Sequence, residues 1–273
     1  MSKPVKVKFY PTALTVNCCE PGGAAGIAAD LRTFNAFGVY GCCAVSMLNG
    51  TMESAQAVSA QIEAVRSKIP VKFIKSGMTG STEIIRAVAA AVKKYSLKLI
   101  CDPAIFSAAG KKQLSDDAIS AMQEELFPLA SWITPNIREA ELLTGKKIAS
   151  VKDMSIAADE LQKKFHSAVW LQGGRLAGSA ATDLIAKDGK FFTVSAPIPE
   201  VHPKTEYGSS DTISSALTAM LALELPWKQA VCGSKSFVFG SLEQCVDIGP
   251  GVQVMYPATE DFIQLVKLDE LEK

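Results

Sequence analysis

Short apolar runs alternate with longer amphipathic stretches along most of the chain, from residue 12 to residue 239. The short runs are continuously apolar, which is typical of parallel strands buried on both faces of a sheet. The longer stretches have the period of helices packed by one face. The predicted strands are 12–16, 39–48, 71–75, 97–101, 132–134 and 168–171, and the predicted helices are 27–37, 54–67, 82–95, 118–126, 138–143 and 155–165.

The pattern changes after residue 180. Two strand-like runs, 182–186 and 191–194, flank an Asp-Gly pair that is typical of a hairpin turn. Two apolar helices, 211–223 and 227–239, follow, and neither repeats nor a low-complexity linker interrupt the chain. The sequence therefore predicts an α/β fold with a doubly wound, mostly parallel sheet and an antiparallel edge hairpin, in one domain spanning residues 1–273.

Composition narrows the possible partners. The chain has 273 residues and is 48% apolar, so it can bury a large core. Its 28 basic and 28 acidic residues cancel and form no basic block, which argues against nucleic acid and anionic membranes as partners and favours a small-molecule ligand. No signal-peptide pattern or membrane-spanning run is seen, so we expect a cytoplasmic protein.

Several residues with potential chemistry are interpreted as structural. The seven cysteines include two adjacent pairs but lack the spacing of a metal site, so we expect free thiols. The tryptophans are expected to pack, the two histidines to have no chemical role, and two lysines to be solvated. These residues are the pairs Cys18-Cys19 and Cys42-Cys43, then Trp132, Trp170, Trp227, His166, His202, Lys75 and Lys111.

Residues 208–217 form a turn of small residues that leads into an apolar helix. Small side chains leave backbone N–H groups uncovered, and a helix start adds unpaired donors and a positive dipole end, so the stretch predicts a phosphate-binding turn. Asp211 within it is either the N-cap of the helix or a base that accepts a proton from an attacking hydroxyl. Residue type alone favours the cap.

Polar and small residues follow many of the predicted strands. Because ligands of a doubly wound sheet bind beyond the carboxyl ends of its strands, these loops are expected to form one surface. Asn136 and Glu139, three residues apart at a helix start, are either a capping box or a pair that holds Mg²⁺ and its waters. Their spacing alone favours the capping box. The loops are 18–26, 75–80, 102–104, 134–136 and 172–174.

In their order and spacing these motifs resemble the hydroxymethylpyrimidine/phosphomethylpyrimidine kinases, thiamin-pathway members of the ribokinase superfamily that are related to pyridoxal kinases. The resemblance extends over nearly the whole chain. The segments that carry it are Ala13-Leu14-Thr15-Val16, residues 23–34, Lys75-Ser76-Gly77-Met78, Asp102-Pro103, Ile133-Thr134-Pro135-Asn136, Glu139-Ala140-Glu141, Gln172-Gly173-Gly174 and residues 208–216.

The resemblance implies a three-layer ribokinase-like fold, ATP and Mg²⁺ as cofactors, a homodimer, and transfer of the γ-phosphoryl group to a hydroxymethyl group on a heteroaromatic ring. It also implies roles for individual residues, although core packing explains Met78 equally well. The implied catalytic residues are Gly208, Ser209, Ser210 and Asp211; the nucleotide contacts are Asn136, Glu139, Gln172, Gly174 and Thr205; the substrate contacts are Glu20, Gly22 and Met78; and the metal ligands are Asp102 and Glu139.

The chain departs from the family pattern in several places. The phosphate turn ends in Ser210-Asp211 where Gly-Cys is usual, and a serine at a position that requires positive φ would cost roughly 1 kcal/mol or more. Glu20 replaces the aspartate of the Gly-Ser-Asp-Pro motif, and Gln172 replaces a lysine. The segment between residues 47 and 61 is several residues shorter than usual.

Three functions are compatible with this sequence. The first is a kinase of hydroxymethylpyrimidine or its monophosphate. The second is a pyridoxal/pyridoxine kinase, which Asp211 and the shortened segment favour. The third is a ligand-binding homologue with weakened catalysis, which Ser210, Gln172 and Cys18-Cys19 suggest. The GxxxxGK[ST] loop is absent from the sequence, so the P-loop kinase mechanism is excluded.

Overall fold

The computed structural model describes residues 10–107, 109–174, 176, 178–201 and 203–271. Within these ranges the chain forms twelve strands and eight α-helices. The strands are β1 Thr12–Cys19, β2 Tyr40–Leu48, β3 Thr51–Met52, β4 Phe73–Ser76, β5 Lys98–Cys101, β6 Ala130–Ile133, β7 Ala168–Leu171, β8 Ala180–Lys187, β9 Lys190–Pro197, β10 Val246–Gly249, β11 Val252–Val254 and β12 Lys267–Glu270. The helices are α1 Gly26–Ala36, α2 Ala55–Arg66, α3 Thr82–Tyr95, α4 Asp116–Ala121, α5 Ile137–Thr144, α6 Val151–Phe165, α7 Ser209–Ala222 and α8 Trp227–Glu243.

Ten of the strands form one sheet in the order β12-β9-β8-β7-β6-β5-β4-β1-β2-β3, and β10 and β11 form a separate pair. The central strands are parallel, whereas β8, β9 and β12 continue the sheet in antiparallel fashion on one side. The predicted doubly wound α/β fold with an antiparallel hairpin near the edge is therefore confirmed.

Helices cover both faces of this sheet. One core cluster packs α2 to α6 against one face, and a second packs α7 and α8 against the other, where α1 also contacts α7. Trp132 and Trp170 lie in the second cluster, with Trp227 packed against it, so the packing role predicted for the tryptophans is confirmed. All seven cysteines are free thiols, as predicted. None of the helices in the described ranges combines the length and the apolar character needed to cross a bilayer.

The connections between β1, β2 and β4 set the position of the site. Strand β1 pairs with β2 on one side and with β4 on the other, so the chain reverses its winding direction at β1. The carboxyl ends of strands diverge at such a point and leave room for a ligand. Thr15 on β1 is the register partner of Lys75 on β4, which places both residues at this crevice.

Some elements were not predicted. The predicted helix 118–126 begins as α4 and ends in a π-helical turn, Met122–Leu126. The strand pair β10–β11 and the edge strand β12 have no clear apolar alternation, because most of their residues are exposed or half-buried.

Candidate active site

The phosphate turn is the start of α7. Gly208 is the N-cap, with φ of 88°, and a Cβ at this position would lie 2.0 Å from the carbonyl oxygen of Ala24. A positive φ and a close backbone contact both require glycine here. Because Gly208 has no side chain to cap the helix, the first N–H groups of α7 remain available for an anion.

Ser210 lies inside the first turn of α7 and is not among the described residues with positive φ. The possible strain at Ser210 is therefore absent, because the turn places its positive φ at Gly208 instead. Its hydroxyl donates to Asp102 Oδ2 at 3.0 Å and accepts from Gln172 Nε2 at 3.0 Å. Ser210 thus joins the helix start to the loops after β5 and β7.

Ser210→Gly is accordingly expected to give no gain in rate. The variant loses both side-chain hydrogen bonds and places glycine inside a helix, which should cost about 1 kcal/mol of stability. Urea denaturation and steady-state kinetics with ATP would measure the two effects. A faster variant with unchanged stability would contradict this account of Ser210.

Asp211 does not cap α7, so the interpretation as an N-cap is wrong. It is the third residue of the helix, and its carboxylate points back toward the first strands. Oδ2 accepts from the backbone N–H of Gly26 at 2.9 Å, and Oδ1 accepts from Asn17 Nδ2 at 2.8 Å and from Lys75 Nζ at 2.6 Å. The side chain keeps 19% of its surface exposed, so it remains accessible to a ligand.

Lys75 is fully buried, so the prediction of a solvated lysine is wrong. All four residues of β4 are buried in the middle of the sheet, and the Lys75 side chain has an exposure of 0%. Its ammonium contacts two carboxylates, Asp30 Oδ1 at 2.7 Å and Asp211 Oδ1 at 2.6 Å. Burial alone would lower the pKa of Lys75, but Asp211 and Asp30 outweigh it and raise that pKa, so the lysine is charged. The other lysine predicted to be solvated, Lys111, is exposed.

Asp30 completes this cluster from α1 and was not predicted from the sequence. Its carboxylate is fully buried and accepts from Thr15 Oγ1 at 2.6 Å, from Asn17 Nδ2 at 3.0 Å and from the hydroxyl of Ser215. A carboxylate on the buried face of a helix needs such donors. A carboxylate on the buried face of α1, together with a lysine in a buried strand, was the signal that could have revealed the ion pair of Asp30 and Lys75.

Asn17 links the backbone of Cys18 and Met78 to the carboxylate of Asp211. Its side-chain oxygen accepts from the backbone N–H groups of Cys18 and Met78, both at 2.9 Å, while its amide nitrogen donates to Asp211. Met78 is 7% exposed, so it packs in the core at the end of this crevice. The structure therefore brings Met78, a predicted substrate contact, close to the predicted base.

Glu20 and Gly22 lie in the turn between β1 and α1. Both carboxylate oxygens of Glu20 accept backbone N–H groups, from Gly22 at 2.7 Å and from Ala24 at 3.1 Å, so Glu20 shapes this turn. Tyr207, which was not predicted, precedes the start of α7. Burial raises the pKa of its hydroxyl, and the negative charge of Glu20 raises that pKa further.

Asn136 and Glu139 form the predicted capping box at the start of α5. Asn136 Oδ1 accepts from the N–H of Glu139, and Glu139 Oε2 accepts from the N–H of Asn136, both at 3.0 Å. Glu139 Oε1 also accepts from the N–H of Ile105 at 2.8 Å. The carboxylate is 1% exposed, and burial together with nearby Asp102 raises its pKa to about 8.

Asp102 lies at the end of β5 between Glu139 and the start of α7. Burial raises its pKa to about 6 despite the attraction of Lys75. Nearby, the hydroxyl oxygen of Thr134 is buried without a hydrogen-bond partner. Two buried carboxylates with raised pKa values and an unpaired hydroxyl are a set of oxygen donors that suits Mg²⁺. No group of three or more His, Cys, Asp or Glu side chains suited to a metal is found in the described part of the chain.

A cavity opens beside the start of α7, away from Lys75. Gln172, Gly174 and Ser209 line it, as does Lys235 of α8, whose Nζ lies 2.8 Å from Asp183 Oδ2. Gln172 also donates to the carbonyl oxygen of Thr134 at 2.8 Å. The structure thus brings two predicted nucleotide contacts, Gln172 and Gly174, to one cavity with the phosphate turn.

Three other predicted nucleotide contacts are not among the residues that line this cavity. Thr205 is buried in a short 3₁₀ helix, where its hydroxyl donates to Gln253 Oε1 at 3.4 Å, and it is not among the lining residues. Asn136 and Glu139 are not among them either. His166 is exposed at the end of α6, and His202 lies outside the described residues.

A doubly wound sheet with an uncapped helix start beside its topological switch point is the architecture of ribokinase-like small-molecule kinases. The model of the family described as phosphomethylpyrimidine kinase matches residues 20–256. The chain therefore belongs to the phosphomethylpyrimidine kinase family.

Individual relatives agree with this assignment. The chain is 35% identical over 251 residues to a hydroxymethylpyrimidine/phosphomethylpyrimidine kinase from Rhizobium meliloti (strain 1021), covering 88% of this chain and 94% of that protein. It is similar to the solved phosphomethylpyrimidine kinase of Clostridium difficile 630, with a TM-score of 0.72, 33% identity, and coverage of 83% and 97% of the two chains. It is also similar to the pyridoxal kinase of Staphylococcus aureus in complex with AMP-PCP and pyridoxal, with a TM-score of 0.85, 25% identity, and coverage of 96% and 100%.

Proposed function

We propose that this protein transfers the γ-phosphoryl group of ATP to the hydroxymethyl group of 4-amino-5-hydroxymethyl-2-methylpyrimidine, or to the phosphate of its monophosphate. The main support is the position of Asp211. Its backbone belongs to the anion-binding start of α7, beside the cavity lined by Ser209, and its carboxylate points to the crevice that contains Met78. The first turn of α7 thus adjoins both the cavity lined by Ser209 and the crevice that contains Met78.

In the proposed step on the hydroxymethyl group, Asp211 accepts the hydroxyl proton. The hydroxyl oxygen forms a bond to the γ-phosphorus, the bond from that phosphorus to the β,γ-bridging oxygen breaks, and ADP leaves with the electron pair. The N–H groups at the start of α7 stabilise the negative charge on the transferred group. Burial would raise the pKa of Asp211, but Lys75 lowers it, so the carboxylate is ionised and ready to accept a proton.

Asp102 and Glu139 are proposed to hold Mg²⁺ and its waters. When bound, the ion would neutralise negative charge on the nucleotide phosphates. Ser210 and Ser214 keep Asp102 in place by donating to Oδ2 at 3.0 and 3.2 Å. The backbone N–H groups of Ile105 and Asn136 hold Glu139 in the same way.

Glu139→Gln tests this metal role against a purely structural one. If Glu139 helps to hold Mg²⁺, millimolar Mg²⁺ should raise the thermal midpoint of the parent more than that of the variant, because binding to the native state stabilises it. The variant should also need more Mg²⁺ for half-maximal rate. Glu141→Gln on the same helix is the matched control, since Glu141 is half-buried, contacts Lys147 and accepts from the N–H of Ile148, which a glutamine oxygen can also do. Equal Mg²⁺ responses in parent and Glu139→Gln would remove Glu139 from the metal site.

Pyridoxal is the second candidate acceptor. The pyridoxal kinase complex described above superposes over 96% of this chain, and the base here is a carboxylate rather than the cysteine usual in the pyrimidine kinases. Measuring ADP release with hydroxymethylpyrimidine, its monophosphate and pyridoxal in turn separates the two candidates. We expect kcat/KM to be highest with the pyrimidines. A preference for pyridoxal would reverse the assignment, and no turnover with any of them would identify a binding homologue with weakened catalysis.

We also propose a homodimer that works in the cytoplasm. The edge formed by β2 and β3 exposes the large apolar side chains of Tyr40, Leu48 and Met52, at 61%, 51% and 41%, which suits a contact between two copies. Sedimentation equilibrium would measure the mass in solution. Seven free cysteines suit a reducing compartment.

A further inference from the structure

A lysine buried between two carboxylates is the feature of this site that the proposed reaction does not use directly. Lys75 Nζ lies at hydrogen-bond distance from Asp30 on one side and from Asp211 on the other. Asp30 has its own donors in Thr15, Asn17 and Ser215, so it is held independently of Asp211. Lys75 and Asp30 therefore form an ion pair that would remain intact without Asp211.

The contacts of Asp211 are distributed unequally between its two oxygens. Oδ1 accepts from Lys75 and Asn17, whereas Oδ2 accepts only from the N–H of Gly26 among the described contacts. A carboxylate oxygen has two lone pairs in the carboxyl plane, so two donors saturate Oδ1 and one lone pair of Oδ2 remains. The side chain is 19% exposed, and Oδ2 is the oxygen that keeps a lone pair for an acceptor hydroxyl.

We propose that Lys75, which is held in place by Asp30, positions the side chain of residue 211. Lys75 fixes the carboxylate of Asp211 so that Oδ2 is free for the acceptor hydroxyl, and it keeps that carboxylate ionised. The inference rests on the proposed role of Asp211 as base. It goes further in one respect, because the ion pair should favour the ionised form of any acidic side chain at position 211. A thiol placed there should therefore be a better thiolate than its burial alone would allow.

Five ionisable groups of the described residues face Asp211. The comparison below alters only two of them, Lys75 and Asp30, and leaves the other three unchanged. The five are Asp30 from α1, Cys18 from β1, Lys75 from β4, Asp102 after β5 and Tyr207 before α7.

The first experiment uses a thiol as a probe, so its readout does not require kinase activity. Asp211→Cys is compared with the triple variant Asp211→Cys, Lys75→Met and Asp30→Asn. Both have the same net charge, because the triple variant loses one positive and one negative group. Alkylation of the introduced thiol by iodoacetamide is followed against pH by peptide mass spectrometry. We expect the triple variant to react about tenfold more slowly near pH 7, corresponding to a thiol pKa about one unit higher.

Equal alkylation rates in these two variants would overturn the proposal. Circular dichroism and the thermal midpoint establish that each variant is folded. If the triple variant does not fold, Asp211→Cys with Asp30→Asn alone decides the question. Removing only the negative partner should strengthen the effect of Lys75 and accelerate alkylation, and an unchanged or slower rate would overturn the proposal.

The second experiment separates this inference from the proposed mechanism. In Lys75→Met with Asp30→Asn, the acidic limb of the kcat/KM profile should move to higher pH by about one unit, with the KM for ATP unchanged. The direction follows because loss of Lys75 raises the pKa of the base. A thiol that responds to Lys75 together with a limb that does not move would mean that Asp211 is not the base, while the positioning effect of Lys75 stands.

Discussion

Asp211→Asn is expected to lower kcat by a factor on the order of 10² to 10⁴ while the protein folds normally. Asparagine has nearly the same volume, and its side-chain oxygen can still accept from Lys75 and Asn17, which both donate to Asp211 Oδ1 in the parent. It cannot accept the proton of an attacking hydroxyl. Lys75 keeps its second partner, Asp30, so no charge becomes isolated.

Single-turnover and steady-state rates with saturating ATP would measure this loss. The control is Asp117→Asn, the same change in the first turn of α4, where the side chain is exposed. Both variants should have circular dichroism spectra like that of the parent, and only Asp211→Asn should be slow. If it folds normally and phosphorylates its substrate at the parental rate, Asp211 is not the base.

Lys75→Met is expected to cost about 3–5 kcal/mol of folding free energy, because it leaves Asp30 as a buried charge without its cation. The double variant with Asp30→Asn should recover most of this loss, since both members of the pair are then neutral. Stability of the single variant should rise as pH falls from 7 toward 4. The isolated carboxylate has a folded-state pKa above its unfolded value, so the native state binds more protons than the unfolded state.

Urea denaturation at several pH values would measure these differences. Lys111→Met is the matched control, because it removes the same charge from an exposed position and should change stability by no more than about 0.5 kcal/mol. A Lys75→Met variant as stable as the control would mean that Asp30 and Asp211 are not charged together in the core.

The order of strands and helices could be predicted because it depends on local periodicity. The strand 71–75 was identified as a buried apolar run, and β4 is buried throughout. The interpretation of Lys75 as solvated contradicted that prediction, because it treated a charged residue as exposed by default. A buried lysine requires partners from elsewhere in the chain, and Asp30 and Asp211 are separated from it by 45 and 136 residues. No local pattern contains that pairing.

The cap of α5 could be predicted from local spacing, whereas the N-cap interpretation of Asp211 at α7 was wrong. Asn136 and Glu139 form a capping box because their spacing alone brings the two groups together. The conformation of the phosphate turn could not be predicted from spacing alone, because the position of its positive φ depends on how closely Gly208 approaches Ala24. Whether Ser210 was strained could not be determined without that tertiary contact. The roles of these residues in binding ATP, metal and substrate stay predictions for the experiments above.

Strand β12 lies beyond residues 20–256, the part of the chain that the family model matches. It pairs in antiparallel fashion with β9 from Phe192 to Ser195 and carries the charged side chains of Lys267, Asp269 and Glu270. A short, charged outer strand covers backbone groups of β9 that would otherwise be open to pairing with another molecule. We therefore expect β12 to protect the sheet against edge-to-edge aggregation, and a chain that ends at residue 256 to lose that protection while keeping every residue of the proposed site.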